Sequence, residues 1–166
     1  IITANGQSAN GYSGNAGGSG GSIYITCFAF ASTNGILRAN GGNDAGAGGT
    51  GGGGRIAVVY DTNAQASMPP VRLAELSANT GRRETVRRGM IGTLYAPDHR
   101  LLPESPVSNG FNGTIHGIAS WAPASLTLRS GWVQTFAERF AVIGNMNLND
   151  TRLDFLQRPS YTTLMA

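Results

Sequence analysis

The chain contains no lysine, so all twelve of its basic side chains are arginine. With nine acidic residues they bring the charged share of the 166 residues to 13%, about half the share in an ordinary globular domain. The net charge of +3 is too small to indicate a nucleic-acid partner, and the sequence predicts none. A P-loop for nucleotide phosphates is excluded as well, because it requires a Gly-Lys-Ser/Thr sequence.

Cysteine, histidine and long apolar runs are also scarce. The single cysteine, Cys27, has no partner for a disulfide within the chain. His99 and His116 are not closely spaced with each other or with Cys27, so the pattern predicts no metal site. No run of about 18 apolar residues occurs, so no membrane-spanning helix is predicted. We therefore predict no metal, no other cofactor and no membrane span.

Glycine is what the chain has in excess, at 25 of 166 residues. The Gly-rich stretches lead directly into strand-like runs such as Arg55–Tyr60. A dinucleotide-binding loop has the opposite order, with a strand before the glycines and a helix after them. Gly17–Gly21 fits the G-x-S-x-G pattern of serine hydrolases, but it lacks the strand before and the helix after that the nucleophile needs. We interpret the glycines as part of a repeat.

Two short patterns recur along the first part of the chain, one around Ala-Asn-Gly and one around Gly-Gly followed by a strand. The first two copies are Ile2–Gly6 with Leu37–Gly41, and Gly20–Ile25 with Gly53–Val58. A weaker third copy has Leu76–Gly81 and Gly92–Ala96, with Gly92 aligned to Gly53. We therefore predict that each unit consists of a strand, an Ala-Asn-Gly turn, a long insertion and a second strand that begins after glycine.

A unit of two short strands cannot bury its own apolar face, whereas stacked units form a continuous core. We therefore predict an all-β fold, a parallel β-helix or solenoid with Gly-rich side insertions. Residues 1–96 form its Gly-rich units, at about 1–35, 36–70 and 71–96. Residues 97–124 are predicted to be a loop-rich connection. Residues 125–166 are predicted to form further coils, as part of a fragment of a longer chain.

Strand-like runs continue in the second half without glycine tracts. They are residues 113–118, 125–131, 140–148 and 152–156. The segment Trp132–Phe140 is ambiguous, because Trp132, Phe136 and Phe140 also fall at helical spacing.

The asparagines of the three Ala-Asn-Gly turns, Asn5, Asn40 and Asn79, are predicted to stack as a structural ladder. Within the tracts, glycine recurs every third residue, at Gly11, Gly14, Gly17 and Gly20 and again at Gly48, Gly51 and Gly54. Three residues per turn is the period of polyproline II. Two such segments with glycine inward can pack backbone to backbone. The alternative is a disordered loop, which the low hydrophobicity of the tracts permits.

The densest ionisable cluster is Asp98, His99 and Arg100, which are the weak candidates for a catalytic site. The alternative is a solvated loop between prolines. A possible ligand surface, for glycans, comprises Tyr12, Arg82, Arg83, Arg87, Arg88, Trp121 and Trp132. The four arginines among them would suit an acidic glycan or a nucleic acid, and the alternative is a solvated loop. The four arginines lack interleaved aromatic residues, which a binder of single-stranded nucleic acid would have.

The "ANGG…GGGGRIAVVY" units followed by "GTLYAPD" resemble Gly-rich repeats of very long secreted or surface-exposed bacterial proteins, similar to right-handed parallel β-helix (pectin-lyase-like) proteins and adhesins. The resemblance covers about residues 1–98 and matches no catalytic residues of that superfamily. It implies a structural or adhesive, non-catalytic segment located outside the cell or on its surface. The alternatives are a polysaccharide-cleaving β-helix enzyme and a glycan-binding module.

The partners expected from this resemblance are neighbouring segments of the same protein, or other subunits, stacked on the ends of the solenoid, and glycans. The chain opens on the interior-type strand sequence "IITANG", with Ile1 and Ile2 apolar. An exposed strand end carries unpaired backbone groups and invites pairing. We expect this end to be covered in the native assembly.

Overall fold

The computed structural model of the chain describes residues 1–11, 14–46, 48–82, 89–102 and 110–156. Within these ranges there is almost no helix: one short α-helix, α1 (Thr62–Ala66), and one 3-10 turn, His99–Leu101. The strands are β1 (Ile2–Thr3), β2 (Ser22–Cys27), β3 (Gly35–Arg38), β4 (Arg55–Tyr60), β5 (Leu73–Ser77), β6 (Thr93–Tyr95), β7 (Phe111–His116), β8 (Ser120–Trp121), β9 (Leu126–Arg129), β10 (Trp132–Thr135), β11 (Arg139–Phe140), β12 (Met146–Asn149) and β13 (Arg152–Phe155). The prediction of an all-β fold is confirmed.

All the ladders between these strands are parallel. Seven strands form one sheet in the order β1-β3-β5-β7-β6-β4-β2, and the sheet curls until it is nearly closed. Near its two ends the amide of Gly21 donates to the carbonyl of Ala4 at 2.7 Å. Strand β10 also pairs with β7, and β13 pairs with β10. Two smaller pairs, β8 with β11 and β9 with β12, complete the described strands.

The pairing follows the sequence repeats, so the strands can be grouped into units. Units 1, 2 and 3 contain β1 and β2, β3 and β4, and β5 and β6, respectively. Ile2 pairs with Leu37 and Ile23 with Ile56, as the alignment of the first two copies predicts. Residues at even and odd positions face opposite sides, as in β4, where Ile56 and Val58 are buried and Arg55 is exposed.

The predicted alignment of unit 3 with unit 2 holds for only one of the two strands. Leu37 pairs with Leu76 as predicted, but Ile56 pairs with Leu94, where the aligned repeats predict Tyr95. For this second strand the prediction is wrong by one position, because Gly92 corresponds to Gly54 and not to Gly53. A slip of one position reverses the two faces of a strand, and the observed register keeps Leu94 in the core and Tyr95 outside.

The units in the second half of the chain are shorter. Val133 pairs with Gly113 and Trp132 with Arg152, so the ladder returns after a much shorter length of chain. Unit 4 contains β7, β8 and β9, and unit 5 contains β10, β11 and β12. The helical alternative for Trp132–Phe140 is wrong, because Trp132–Thr135 and Arg139–Phe140 are strands. The segment 97–124, predicted to be loop-rich, contains β7 and β8.

The core runs through all the units. In units 1–3 it consists mainly of aliphatic side chains and alanines, among them Ile23, Leu37, Ile56, Leu76 and Ala78. In units 4 and 5 aromatic rings contribute, since Trp121 packs edge-on against Phe111 and Phe140. The buried Gln65 of α1 ties this helix to the segment after β2, because its side chain both donates to and accepts from the backbone of Phe30.

Candidate functional site

The two Ala-Asn-Gly turns and the corresponding Ala-Asn-Thr-Gly turn of unit 3 lie one above another, with each asparagine bonded to the next. The side-chain oxygen of Asn5 accepts from the amide of Asn40 at 2.9 Å, and that of Asn40 accepts from the amide of Asn79 at 2.7 Å. The hydroxyl of Ser77 also donates to Asn40 at 2.7 Å. These side chains therefore satisfy backbone amides at the point where the chain leaves β1, β3 and β5.

A second set of contacts repeats this pattern further along the same segments. The Ser8 hydroxyl accepts from the amide of Asn43 at 3.1 Å, and the Asn43 side chain accepts from the amide of Arg82 at 2.7 Å. Ser8 and Asn43 are each the third residue after an asparagine of the first set. Polyproline II has three residues per turn, so side chains at this spacing lie on the same face of the segment.

The glycine tracts themselves are bonded backbone to backbone. We call the segment that leaves the first strand of a unit its outgoing segment (residues 4–10, 39–45 and 78–82) and the segment that enters the second strand its returning segment (residues 15–21, 48–54 and 89–92). Returning segments bond each other through Gly17 to Gly49 and Gly20 to Gly52, both at 2.9 Å. Outgoing and returning segments bond each other as well, for example from Gly42 to the carbonyl of Gly18 at 2.8 Å.

Glycine is required at the inner positions of these tracts, because there is no space for a side chain there. A β-carbon on Gly42 would lie 2.0 Å from the carbonyl oxygen of Gln7, and one on Gly51 would lie 1.9 Å from that of Gly18. Gly54 and Gly92 have equally close carbonyl neighbours. Because the obstructing atoms belong to the backbone, they cannot move aside without breaking the hydrogen bonds between the segments.

Gln7 occupies the position that is glycine in the next two units. Gly42 and Gly81 are its equivalents in the outgoing segments, and a β-carbon on either would strike the carbonyl oxygen of the unit before. A further glycine tract placed on unit 1 in the same register would therefore collide with the Gln7 side chain.

The Asp98 carboxylate is bonded to two other residues. It accepts from the Tyr60 hydroxyl at 2.7 Å, from the amide of Arg100 at 2.9 Å and from the guanidinium of Arg100. Burial alone would raise the pKa of Asp98, but the hydrogen bonds from Tyr60 and Arg100 outweigh it and hold this pKa below its usual value. Burial, together with the neighbouring carboxylate, raises the pKa of Tyr60.

The consecutive residues Asp98, His99 and Arg100 form the start of a 3-10 turn. Asp98 caps the turn, and the carbonyl of His99 accepts from the amide of Leu102 at 2.9 Å. Within the described residues, the Asp98 oxygens are thus occupied by a tyrosine and an arginine of the same chain.

The residues of the predicted ligand surface are distributed over separate parts of the molecule. Tyr12, Arg83, Arg87 and Arg88 lie outside the described residues. Trp121 is fully buried against Phe111 and Phe140, so its assignment to a surface is corrected by the structure. Arg82 is exposed at the end of an outgoing segment.

Trp132 lies partly exposed in a polar cluster of the second half. Its indole N–H donates to Asp154 at 3.0 Å, and the guanidinium carbon of Arg152 lies 4.9 Å from the centre of its ring. Arg152 also pairs with Asp154 at 2.9 Å. The hydrogen bond from Trp132, against a smaller effect of burial and with help from Arg152 and Gln134, lowers the pKa of Asp154.

The predicted sites do not include two rows of side chains on the outer face of the sheet. Register across β2, β4, β6 and β7 places Tyr24, Ala57, Tyr95 and His116 in one row. Two positions earlier on the same strands, and continuing across β10 and β13, a polar row contains Ser22, Arg55, Thr93, Thr114, Gln134 and Asp154. Alignment of Gly92 with Gly54 would have revealed the part of both rows in units 1–3 from the sequence.

Among the residues that the structure describes, no group of three or more His, Cys, Asp or Glu side chains could hold a metal ion. No described helix is long and apolar enough to cross a membrane.

Comparison with protein-family models, with curated proteins and with solved structures finds no match to the chain.

Proposed function

We propose that the chain is a segment of a stacked β-solenoid that serves as a non-catalytic structural or adhesive element of an extracellular surface protein. The observation that carries the proposal is the bonding between units. Each unit contributes strands to parallel ladders, and the asparagine and glycine segments continue the bonding outside the strands. A stack in which both strands and connections are bonded to the next unit resists bending and local opening.

The location outside the cell belongs to this proposal and rests on the resemblance of the Gly-rich units to secreted and surface-exposed repeats. The partners proposed are neighbouring segments or subunits that pair with the free edges of β1 and β2. Ile2, Tyr24 and Phe28 at this end are 45%, 72% and 78% exposed. Because Gln7 obstructs a further glycine tract in register, the partner proposed here pairs with the strands and leaves the tract of unit 1 uncovered.

A catalytic role for Asp98 is the weaker alternative. A general acid or base needs a carboxyl group that can reach a substrate and exchange a proton near the working pH. The Asp98 carboxylate is bonded to Tyr60 and Arg100, and its lowered pKa keeps it ionised. This arrangement supports a structural role, in which Asp98 ties the turn after β6 to β4.

Amide hydrogen exchange tests the proposed rigidity directly. In a stacked scaffold, the amides of Gly17, Gly20 and Gly42 exchange as slowly as those of the core strand β4, since they are bonded to neighbouring segments. Amides of the exposed end residues of α1 serve as the fast-exchanging reference. Rapid exchange throughout the glycine tracts would contradict the proposal.

An assay for polysaccharide cleavage provides the second test. The purified chain is incubated with linear and branched polysaccharides, and new reducing ends are measured. No turnover is expected. Turnover that disappears in Asp98→Asn, with the fold retained, would overturn the proposal in favour of a polysaccharide-cleaving enzyme.

A further inference from the structure

The outer face of the sheet has a notch between two exposed tyrosines. Tyr24 of β2 and Tyr95 of β6 lie in one row, with Ala57 of β4 between them. The two tyrosines are 72% and 41% exposed. Because β4 lies between β2 and β6, the backbones of the two tyrosines lie about 9–10 Å apart. The small side chain of Ala57 leaves the space between the two rings open above the sheet.

One wall of this notch is fixed in position by the next unit. A β-carbon on Gly117 would lie 2.7 Å from the ring of Tyr95, so this ring packs directly on the Gly117 backbone. Gly117 has a φ of 86°, which glycine adopts freely and other residues avoid. The Tyr95 ring is therefore held in place before any ligand arrives, which reduces the entropy lost on binding.

The positively charged side chain of Arg55 lies beside the notch. Arg55 lies two positions before Ala57 on β4, and so on the same face of the sheet. It is exposed, and its guanidinium makes no hydrogen bond or ion pair with another described residue. The other arginines in strands of the large sheet differ: Arg38 is paired with Glu75 and Arg152 with Asp154. Ser22 and Thr93 flank Arg55 in the polar row and offer hydroxyl groups.

We propose that the face formed by Tyr24, Ala57, Tyr95 and Arg55 binds an acidic glycan, with one sugar ring between the tyrosines and its carboxylate on Arg55. Aromatic rings pack against the apolar C–H faces of a pyranose, while its hydroxyl groups need polar partners at the edge, which Ser22 and Thr93 provide. A planar guanidinium pairs with a carboxylate through two parallel hydrogen bonds. Neighbouring sugars of a linear chain leave the notch parallel to the strands, past Arg55, because the two tyrosines close it in the direction across the strands.

Two features favour a sugar over a peptide strand. The notch lies on the face of the sheet, where the strands present side chains, whereas an added strand would pair at an edge. The walls of the notch are tyrosines, whose rings have few rotatable bonds and combine an apolar face with a hydroxyl group.

Binding is tested with oligosaccharides of alginate, a linear polymer of uronic acids, by titration calorimetry at low and moderate salt. Arg55→Gln removes the charge and retains a polar side chain, and we expect it to weaken binding about tenfold or more. The double variant Tyr24→Ala/Tyr95→Ala is expected to weaken it by a similar factor. Arg55→Gln should keep the unfolding temperature of the parent chain, because this side chain is exposed. The double variant also loses the packing of Tyr95 on Gly117, so its unfolding temperature is measured and its binding is compared well below that temperature.

Matched controls separate the notch from the rest of the surface. Phe28→Ala removes a more exposed aromatic ring, and Arg129→Gln removes an exposed arginine of β9. Neither should change the affinity. Dextran tests whether the carboxylate is needed, and polyglutamate tests whether any polyanion suffices.

The proposal is overturned if alginate oligosaccharides do not bind, if the notch variants bind as well as the parent chain, or if dextran or polyglutamate binds equally well. Binding at this face does not depend on the non-catalytic role proposed above. If the parent chain cleaves alginate, the non-catalytic role is contradicted and the binding site is not. If the parent chain neither binds nor cleaves alginate, the binding site is contradicted and the non-catalytic role is not.

Discussion

Units 1–3 and units 4–5 continue the same parallel ladders but close their turns of chain in different ways. In units 1–3 a long stretch of chain separates paired positions such as Ile23 and Ile56, and most of the extra length is in the glycine tracts. In units 4–5 a much shorter stretch suffices, as between Gly113 and Val133. The first region bonds its additional chain backbone to backbone, whereas the second packs aromatic side chains.

The difference shows that strand pairing tolerates connections of very different length when these have bonding of their own. A long insertion held in one conformation loses the conformational freedom of its backbone, and bonding of its own must compensate for that loss. In units 1–3 the compensation comes from hydrogen bonds that recur along the tracts and require glycine at the inner positions. In units 4–5 it comes from burial of apolar surface. Each region should therefore respond to a different kind of substitution.

Gly51→Ala should have the largest effect, and it is specific to the first region. Its β-carbon would lie 1.9 Å from the carbonyl oxygen of Gly18, a backbone atom. We expect a loss of more than about 4 kcal/mol in the free energy of unfolding, measured by denaturant titration. Gly52→Ala is the control in the adjacent position, where the nearest atom is 3.4 Å away. It should be neutral or stabilise the fold by about 0.4–1 kcal/mol. Equal effects would contradict the backbone packing of the tracts.

Trp121→Ala should have the next largest effect and act on the second region. The ring is fully buried between Phe111 and Phe140, so its removal leaves a cavity. A loss of about 3–4 kcal/mol is expected, and hydrogen exchange should rise first in units 4 and 5. Ile143→Ala, at a position 83% exposed, should change stability by less than about 0.5 kcal/mol. Faster exchange in the glycine tracts before units 4 and 5 would show that the two regions do not open independently.

Asn40→Ala should have an intermediate effect, because it removes a side chain that bonds two units. Its oxygen accepts from both the Asn79 amide and the Ser77 hydroxyl, which would be left without this partner. The expected cost is about 1–3 kcal/mol. Ser8→Ala breaks the corresponding bond at the exposed end of the stack, where water replaces it, and should cost less than about 0.5 kcal/mol. Calorimetric melting of both variants measures the difference.

Much of the first region follows from its sequence, because the recurring Ala-Asn-Gly and Gly-Gly patterns specify the register. The Ala-Asn-Gly and Gly-Gly patterns predict the pairing of Ile2 with Leu37 and of Ile23 with Ile56. The pattern fails at Gly92, where a single glycine stands before the strand and matches either member of the earlier pair. The structure decides the choice, because Gly92 bonds to the carbonyl of Ala78 as Gly54 bonds to that of Ala39, and Ile56 pairs with Leu94.

The second region is harder to predict, because its repeat is defined by conformation more than by residue type. Ser130 and Asp150, which directly follow the paired strands β9 and β12, both have positive φ values, of 47° and 48°. Leu128 and Leu148 pair just before them. Serine and aspartate share little in a sequence comparison, although both occur in turns. The candidate glycan site was missed for the related reason that it joins single residues from three units.

The smallest effect expected is a pH dependence that originates in the second region. The pKa of Asp154 is lowered chiefly by the hydrogen bond from Trp132, whereas an aspartate in the unfolded chain has a pKa of about 3.9. As the pH falls, the unfolded chain therefore takes up the proton first. The stabilisation is complete above about pH 5 and is lost as the pH falls towards the lowered value of the folded protein.

Tryptophan fluorescence can follow this loss, because both tryptophans, Trp121 and Trp132, lie in the second region. Stability is measured by denaturant titration from neutral to strongly acidic pH. Asp154→Asn keeps an acceptor for the Trp132 indole but cannot titrate, so it should reduce the slope of stability against pH. Asp150→Asn is the matched control, because asparagine also tolerates the positive φ at this position and Asp150 is exposed to solvent. If both variants changed the slope equally, the cause would be net charge and not the bond between Asp154 and Trp132.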